Sequence, residues 1–313
     1  MRILLLGSTG YLGGHVAERL RALPGVRLLR GGRAPVDDHR IDLATITADA
    51  LAEQLGRAAP DAVVNCAGTV TGTALNLAGV NSRGPAVLCQ ALRTASPSAR
   101  LVHLGSAAEY GPRGVGERTA EDAPARPTAL YGATKLVGTL AVLEARIDAL
   151  VLRVTDPVGP GAPPAGLPGR LTAELSRAVA RTPHGTVRVG DLSARQDFVD
   201  VRDVAQAVAL ALALPGRLPR LLNIGSGRAA PARDLARGLA DAAGFTGDVE
   251  ETLGQADRPT AAAPWQCSDV TAAEWELGWR PRFTLRESLA ALWASDGDPR
   301  PAPAAGSRGT RVP

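Results

Sequence analysis

Tyr131 and Lys135 stand four residues apart in Tyr-Gly-Ala-Thr-Lys, inside a stretch whose pattern predicts a helix over 130–146. Positions i and i+4 share one helical face. An ammonium beside a phenol favours the phenolate and lowers the tyrosine pKa. A tyrosine tuned in this way can exchange a proton with a carbonyl or an alcohol near neutral pH. Of the 35 basic side chains, Lys135 is the one lysine, the rest being arginine. A chain that writes arginine wherever either cation serves has kept a compact ammonium here, a role the wide planar guanidinium does not fill. Ser106 stands just beyond the apolar run 100–104, in Leu104-Gly-Ser-Ala-Ala-Glu-Tyr110-Gly. A serine at the carboxyl edge of a parallel sheet faces the ligand crevice, where its hydroxyl can hold a substrate oxygen for Tyr131.

A second constellation opens the chain. Gly7-Ser8-Thr9-Gly10-Tyr11-Leu12-Gly13 lies between the strand-like run 2–6 and a helical pattern over 11–23. Glycine lets a backbone turn tightly and approach a pyrophosphate, and the helix N-terminus supplies N–H donors and partial positive charge. The spacing between strand and helix therefore predicts a dinucleotide site, with Lys135 free to donate to the nicotinamide ribose hydroxyls as well. An acid after the second strand binds the ribose of NAD, whereas arginine accommodates the 2′-phosphate of NADP. Here the run is Leu29-Arg30-Gly-Gly-Arg33, with no acid until Asp37. NADP(H) is the expected cofactor, with NAD(H) accommodated, and Asp42 and Leu43 are placed to cap the adenine.

These side chains need a scaffold. Short apolar runs at 2–6, 26–29, 61–65, 100–104 and 149–154 alternate with helical patterns at 11–23, 48–58, 75–94 and 130–146. Strands separated by helices at this spacing predict an α/β fold, a Rossmann-like doubly wound parallel sheet with helices on both faces. The Pro- and Gly-rich stretch 157–168 predicts a loop. Beyond it, helices near 171–180, 201–214, 232–243, 272–277 and 284–294, with strands at 186–189 and 221–224, predict a smaller α/β lid that binds substrate. The expected organisation is a dinucleotide-binding domain over 1–155, to which 199–224 returns, and a substrate region over 156–198 and 225–294. Residues 295–313 lose all periodicity and are expected to be a disordered tail.

Composition narrows the function classes. The chain has 313 residues, 45% hydrophobic and 21% charged, as in ordinary globular domains. It contains no apolar run of 18 residues and no signal-peptide core, so no membrane association and a cytoplasmic setting are expected. A net charge of +4 and a pI near 9.4 raise nucleic acid as a partner. The arginines are scattered and aromatics make up only 3%, so no stacking surface accompanies them and no nucleic-acid partner is expected. Cys66, Cys89 and Cys267 lack metal-site spacing and read as free thiols; no metal site is expected.

Taken together, the glycine loop, Ser106 and Tyr-x-x-x-Lys resemble the extended short-chain dehydrogenase/reductases, the branch of NAD-dependent epimerases, dehydratases and reductases acting on nucleotide sugars. The resemblance runs from residue 2 to about 290. It includes Val80-Asn81 after Gly68, Leu152-Arg-Val-Thr-Asp-Pro-Val-Gly159-Pro, Asp197-Phe-Val-Asp200-Val-Arg-Asp203, Asn223-Ile-Gly-Ser-Gly227 and Leu277-Gly-Trp279-Arg-Pro281. It implies that Ser106, Tyr131 and Lys135 are catalytic. It also implies that Cys66, Ala67, Gly68, Asn81 and Val154 join the glycine loop around the cofactor. Ser106, Ala107, Glu109, Thr155 and Arg195 would line the substrate pocket, Arg195 against the nucleotide diphosphate. Gln196 separates Arg195 from Asp197-Phe198, one residue more than the family's Arg-Asp-Phe.

The family's 4,6-dehydratases carry an acid pair after the catalytic Ser or Thr, and its epimerase-reductases a cysteine two residues on. Ala107 and Ala108 occupy those positions, which leaves simple hydride transfer. Gly190 to Asp203 and Gly105 to Gly111 are similar to the GDP-6-deoxy-mannose reductases. The resemblance thus implies reduction of the C4 ketone of a GDP- or dTDP-linked 4-keto-6-deoxyhexose by a homodimer joined through the 75–94 and 130–146 helices. Three alternatives stay open: a C4 epimerase retaining NAD, a reductase of a non-sugar ketone, and a non-catalytic NADP-binding regulator.

Overall fold

The computed structural model describes residues 1–181, 185–251 and 264–296. The first strand, β1 (Arg2–Leu6), is Arg-Ile-Leu-Leu-Leu with both faces buried. Continuous apolar strands of this kind belong in the middle of a parallel sheet covered on both sides. It is followed by α1 (Tyr11–Arg21), β2 (Arg27–Gly32), β3 (His39–Arg40), α2 (Ala48–Ala58) and β4 (Ala62–Asn65). Next come α3 (Ala74–Leu77), a π-helical turn (Ala78–Arg83), α4 (Gly84–Ala95), β5 (Arg100–Ser106), α5 (Leu130–Glu144) and β6 (Ala149–Val154).

The chain then leaves the sheet through β7 (Asp156–Val158), α6 (Leu167–Arg181), β8 (Thr186–Val189) and β9 (Arg195–Asp200). It returns through α7 (Val201–Ala213) and β10 (Leu221–Ile224). The last elements are β11 (Ala229–Pro231), α8 (Ala232–Ala242), β12 (Asp248–Glu251), α9 (Thr271–Leu277) and α10 (Leu285–Asp296).

Seven strands make one parallel sheet in the order β10-β6-β5-β4-β1-β2-β3. The doubly wound α/β reading is therefore correct. One face packs α1, α7 and α9 through Val16, Leu20, Val208 and Leu277. The other packs α2, α4 and α5 through Leu51, Leu88, Leu92 and Val142. A separate apolar cluster gathers α6, α8 and α10 around Leu175, Leu235 and Phe245. Beside it lie two small sheets, β11-β9-β7 and β12-β8.

Three sequence expectations are corrected. The 75–94 helix is broken into α3, the π-turn and α4: the ladder slips by one residue over 78–83, and Pro85, which has no N–H, sits at the start of α4. The 157–168 loop instead begins with β7, paired to β9, and ends in α6, whose second residue is Pro168. Ser295 and Asp296 belong to α10: the Ser295 hydroxyl accepts the Gly161 N–H at 3.0 Å, and Asp296 accepts from Ser176. The remainder of the expected tail, 297–313, lies outside the described residues.

Candidate active site

Strand order reverses between β1 and β4, the place where a doubly wound sheet opens a crevice at its carboxyl edge. Gly7 leaves β1 there with φ 79°, in the left-handed region that favours glycine. A Cβ on it would lie 2.8 Å from the Ala67 nitrogen, and one on Gly13 would lie 2.0 Å from the Gly7 carbonyl. The loop is thus packed backbone against backbone, with Gly10 capping α1 and α1 aimed at the crevice. Thr9 and Gly10 are exposed and Tyr11 and Leu12 half-buried, while the Tyr11 hydroxyl donates to the Gly159 carbonyl at 3.2 Å. A cradle that leaves no room for side chains, at a helix N-terminus, fits a dinucleotide pyrophosphate.

The groups beyond β2 are arranged less simply. Arg30 is engaged by Asp38, at 3.6 Å between side chains, with the Arg30 N–H donating to the same carboxylate at 2.8 Å. Arg33 is exposed and makes no ion pair among the described residues. Asp37 folds back on the glycine loop, its carboxylate accepting from the Ser8 hydroxyl at 3.2 Å and from the Ala34 N–H at 2.8 Å. Leu43 is buried and half-buried Asp42 closes its own turn on the Ala44 N–H.

Cys66, Ala67 and Gly68 form the facing lip after β4. Burial pushes the Cys66 thiol up to about 12 against the pull of the Lys135 ammonium. Asn81, expected beside the cofactor, fastens the lip to its neighbours. It is 1% exposed; its Oδ1 accepts the Thr69 N–H, while its amide nitrogen donates to the Thr69 carbonyl and the Thr134 hydroxyl. It pins the lip against α5.

Helix α5 crosses the carboxyl edge of β5. A Cβ on Gly132 would sit 2.4 Å from the Ala108 carbonyl, so this glycine lets the helix close on the serine turn. That contact brings Ser106, Tyr131 and Lys135 together: Ser106 acts on the Tyr131 phenol, and the buried Lys135 ammonium donates to the Leu104 carbonyl at 2.5 Å. The expected lowering of the phenol is not met. Burial pushes Tyr131 up to about 12, opposed by Ser106 and reinforced by the Glu109 and Asp156 charges. Burial also lowers Lys135, with Glu109 opposing. His103, beneath it, is held well below the ordinary imidazole range by burial and then by Lys135.

The substrate residues divide. Ala107 is buried, and Val154 ends β6 opposite Ser106. Thr155 is 4% exposed with a hydroxyl that has no partner among the described residues. Glu109 is wholly buried, its carboxylate taken by the Ser106 N–H, Thr139 and Arg153. Arg195 opens β9, exposed, and no hydrogen bond or ion pair joins it to Ser106 or Tyr131 among the described residues. Strand alternation puts it on the same side as Asp197, so the extra Gln196 has turned it to that face.

Asp156 was missed. It follows Thr155, acts electrostatically on Tyr131, and is raised to about 6 by burial and then by Asp197. Its carboxylate makes no hydrogen bond among the described residues. The only sequence signal was its place beside Thr155 in the Leu152–Pro160 motif.

A glycine loop at the switch point of a parallel sheet, with a Ser-Tyr-Lys group at the end of β5 and on α5, defines a nicotinamide-dinucleotide enzyme of the short-chain dehydrogenase/reductase class. The chain belongs to the NAD dependent epimerase/dehydratase family, whose model matches residues 3–225. It is 35% identical to a dTDP-6-deoxy-L-talose 4-dehydrogenase (NAD(P)(+)) of Kitasatospora kifunensis, over 94% of this chain and 95% of that protein. It is 28% identical to a GDP-6-deoxy-D-mannose reductase of Pseudomonas aeruginosa, over 93% and 95% of the two chains. Among solved structures, RMD from Pseudomonas aeruginosa complexed with NADPH superposes with a TM-score of 0.80 at 24% identity, covering 94% of this chain and 98% of that one. No helix among the described residues is long and apolar enough to cross a membrane, and no group of three or more His, Cys, Asp or Glu could hold a metal ion.

Proposed function

We propose that the protein reduces the C4 ketone of a nucleotide-linked 4-keto-6-deoxyhexose, with NADP(H) preferred and NAD(H) accepted. The observation that carries this reading is the convergence of Ser106, Tyr131 and Lys135 where α5 closes on the serine turn at Gly132. A phenol protonated throughout the neutral range is poised to give a proton to an oxygen that gains charge as its ketone is reduced. Ser106 orients that oxygen. Lys135 holds positive charge below the site and is placed to meet the cofactor ribose. The glycine loop and the Cys66–Gly68 lip would hold the dinucleotide, which supplies the hydride. Ala107 and Ala108 offer no side chain for lifting a carbon-bound proton, which supports reduction over dehydration.

The 35% relative supports a dTDP-linked sugar over a GDP-linked one, since oxidising a C4 alcohol is the reverse of reducing a C4 ketone. Exposed Arg33 suits a 2′-phosphate, while the Asp37 carboxylate beside Ser8 suits the hydroxyls of NAD, so the proposed preference is modest. A homodimer in the cytoplasm completes the reading, joined through α4 and α5.

The test is NADPH oxidation, followed by absorbance, on adding dTDP- or GDP-linked 4-keto-6-deoxyhexoses. Turnover with the dTDP sugar is expected, falling about 10²- to 10⁴-fold in Tyr131→Phe while NADPH still binds. No turnover with either sugar would overturn the substrate assignment. Similarity to a UDP-glucose 4-epimerase of Neisseria meningitidis, 23% over 93% of the chain, favours a second reading as a C4 epimerase. NAD that stays bound through purification would support it.

A further inference from the structure

We propose that Glu109 is a positioning residue of this site: buried under Ser106, its carboxylate locks the serine turn to α5 and serves as the anionic partner of Lys135. The proposal rests on the reading of Ser106, Tyr131 and Lys135 as the catalytic group.

A carboxylate with no exposure persists only if it is paired and hydrogen-bonded. Glu109 Oε1 accepts from the Ser106 N–H at 2.8 Å and from the Thr139 hydroxyl at 2.9 Å. Its Oε2 accepts from Arg153 Nε at 2.7 Å. Thr139 lies one helical turn beyond Lys135, on the same face of α5. One oxygen therefore bridges the serine and the helix that carries the tyrosine and lysine.

The end of β5 is shaped around this carboxylate. A Cβ on Gly105 would lie 2.9 Å from Glu109 Oε1 and 3.2 Å from the Thr139 hydroxyl, so the carboxylate fills the volume that glycine leaves empty. Leu104, one residue earlier, accepts the Lys135 ammonium, and Ser106, one later, binds Glu109. Three consecutive residues thus place the ammonium, make room for the anion, and fix the serine.

The charged and titratable surroundings are few. Lys135 faces Glu109 from the serine turn, Cys66 from the end of β4 and His103 from β5. Tyr131 faces Glu109 and, from β7, Asp156, itself beside Asp197 of β9. Glu109 also meets Arg153 of β6, whose guanidinium lies 4.3 Å from the centre of the Tyr110 ring. Glu109 is therefore the carboxylate that favours the charged form of Lys135 while disfavouring the phenolate of Tyr131. Its charge acts toward a charged ammonium and a protonated phenol, the pair of states a ketone reduction starts from.

Glu109→Gln keeps the acceptor for Ser106 and Thr139 and removes the charge. Because Lys135 is the one lysine, protein grown on lysine labelled with carbon-13 at Cε gives a single NMR signal from that side chain. Its titration midpoint is expected to fall by at least about one pH unit in the variant, as when an opposite charge is removed from beside a buried ionisable group. An unchanged midpoint in the folded variant overturns the proposal and leaves Glu109 closing the turn only. If the lone charge on Arg153 prevents folding, Glu109→Gln with Arg153→Met removes both; losing the more distant cation offsets part of the effect, so a smaller fall is expected, and the absence of a fall overturns the proposal. The titration needs no substrate, so a failed sugar assignment and a failed role for Glu109 are read separately.

Discussion

Asp156 holds its charge in an unfavourable place. Its folded value, about 6, lies above the ordinary 3.8. Between those values the folded chain keeps a proton that the unfolded chain has released. Stability from this group is present at low pH and declines as pH rises through that window. Asp156→Asn should melt higher than the parent above about pH 7, with the gap closing toward about pH 4, as followed by circular dichroism. A constant gap would show that burial does not raise Asp156. At this scale Ser106, Tyr131 and Lys135 were legible because residue type and spacing alone specify them. Asp156 and Glu109 were not, because what makes each matter is burial and the neighbours that tertiary packing brings: Asp197 for one, Arg153 and Thr139 for the other.

Helix α5 is held by contacts without slack. Gly132→Ala would drive a methyl into the Ala108 carbonyl, now 2.4 Å from that position. The variant should lose about 1–3 kcal/mol of stability, as overpacked sites do, and lose turnover more than NADPH affinity, since Ser106 and Tyr131 part while the glycine loop is untouched. Thermal melts and a cofactor titration separate the two effects. The element pattern was readable where apolar periodicity decides, as in β1, β8, β10 and α7. It failed at the π-turn, where apolar spacing stays helical although the hydrogen-bond ladder slips. It also failed at β9, read as a motif of polar and apolar residues without a structure of its own.

Several motif residues are fasteners. Asp203 accepts the N–H groups of Arg282 and Phe283, and the Trp279 indole donates to the Asp203 carbonyl. Together they dock residues 279–283 onto α7. Asn223 takes the Tyr110 hydroxyl and reaches Thr119 and Asp269, tying the loops that flank the crevice.

Across the whole molecule, Leu130, Val137 and Leu140 leave about half their surface exposed along one side of α5. An apolar stripe on a long helix is a surface suited to a second copy. Val137→Asp with Leu140→Glu should convert the proposed dimer to a monomer of unchanged fold, as measured by light scattering and circular dichroism. A parent that is already monomeric removes the dimer from the reading. The sheet class was legible from alternation alone. The return of β10 beside β6 depended on a contact between residues some seventy positions apart and was visible only through the family motifs.

Lys135, the one side-chain amine, is 5% exposed and bonded to a main-chain carbonyl. Ketones and aldehydes condense with free amines, and the proposed substrate is itself a ketone. With no lysine on its exterior, the protein offers such compounds no side-chain amine to condense with away from the crevice. A catalyst without exposed lysine accumulates no lysine adducts on its surface when it works in high concentrations of reactive carbonyls.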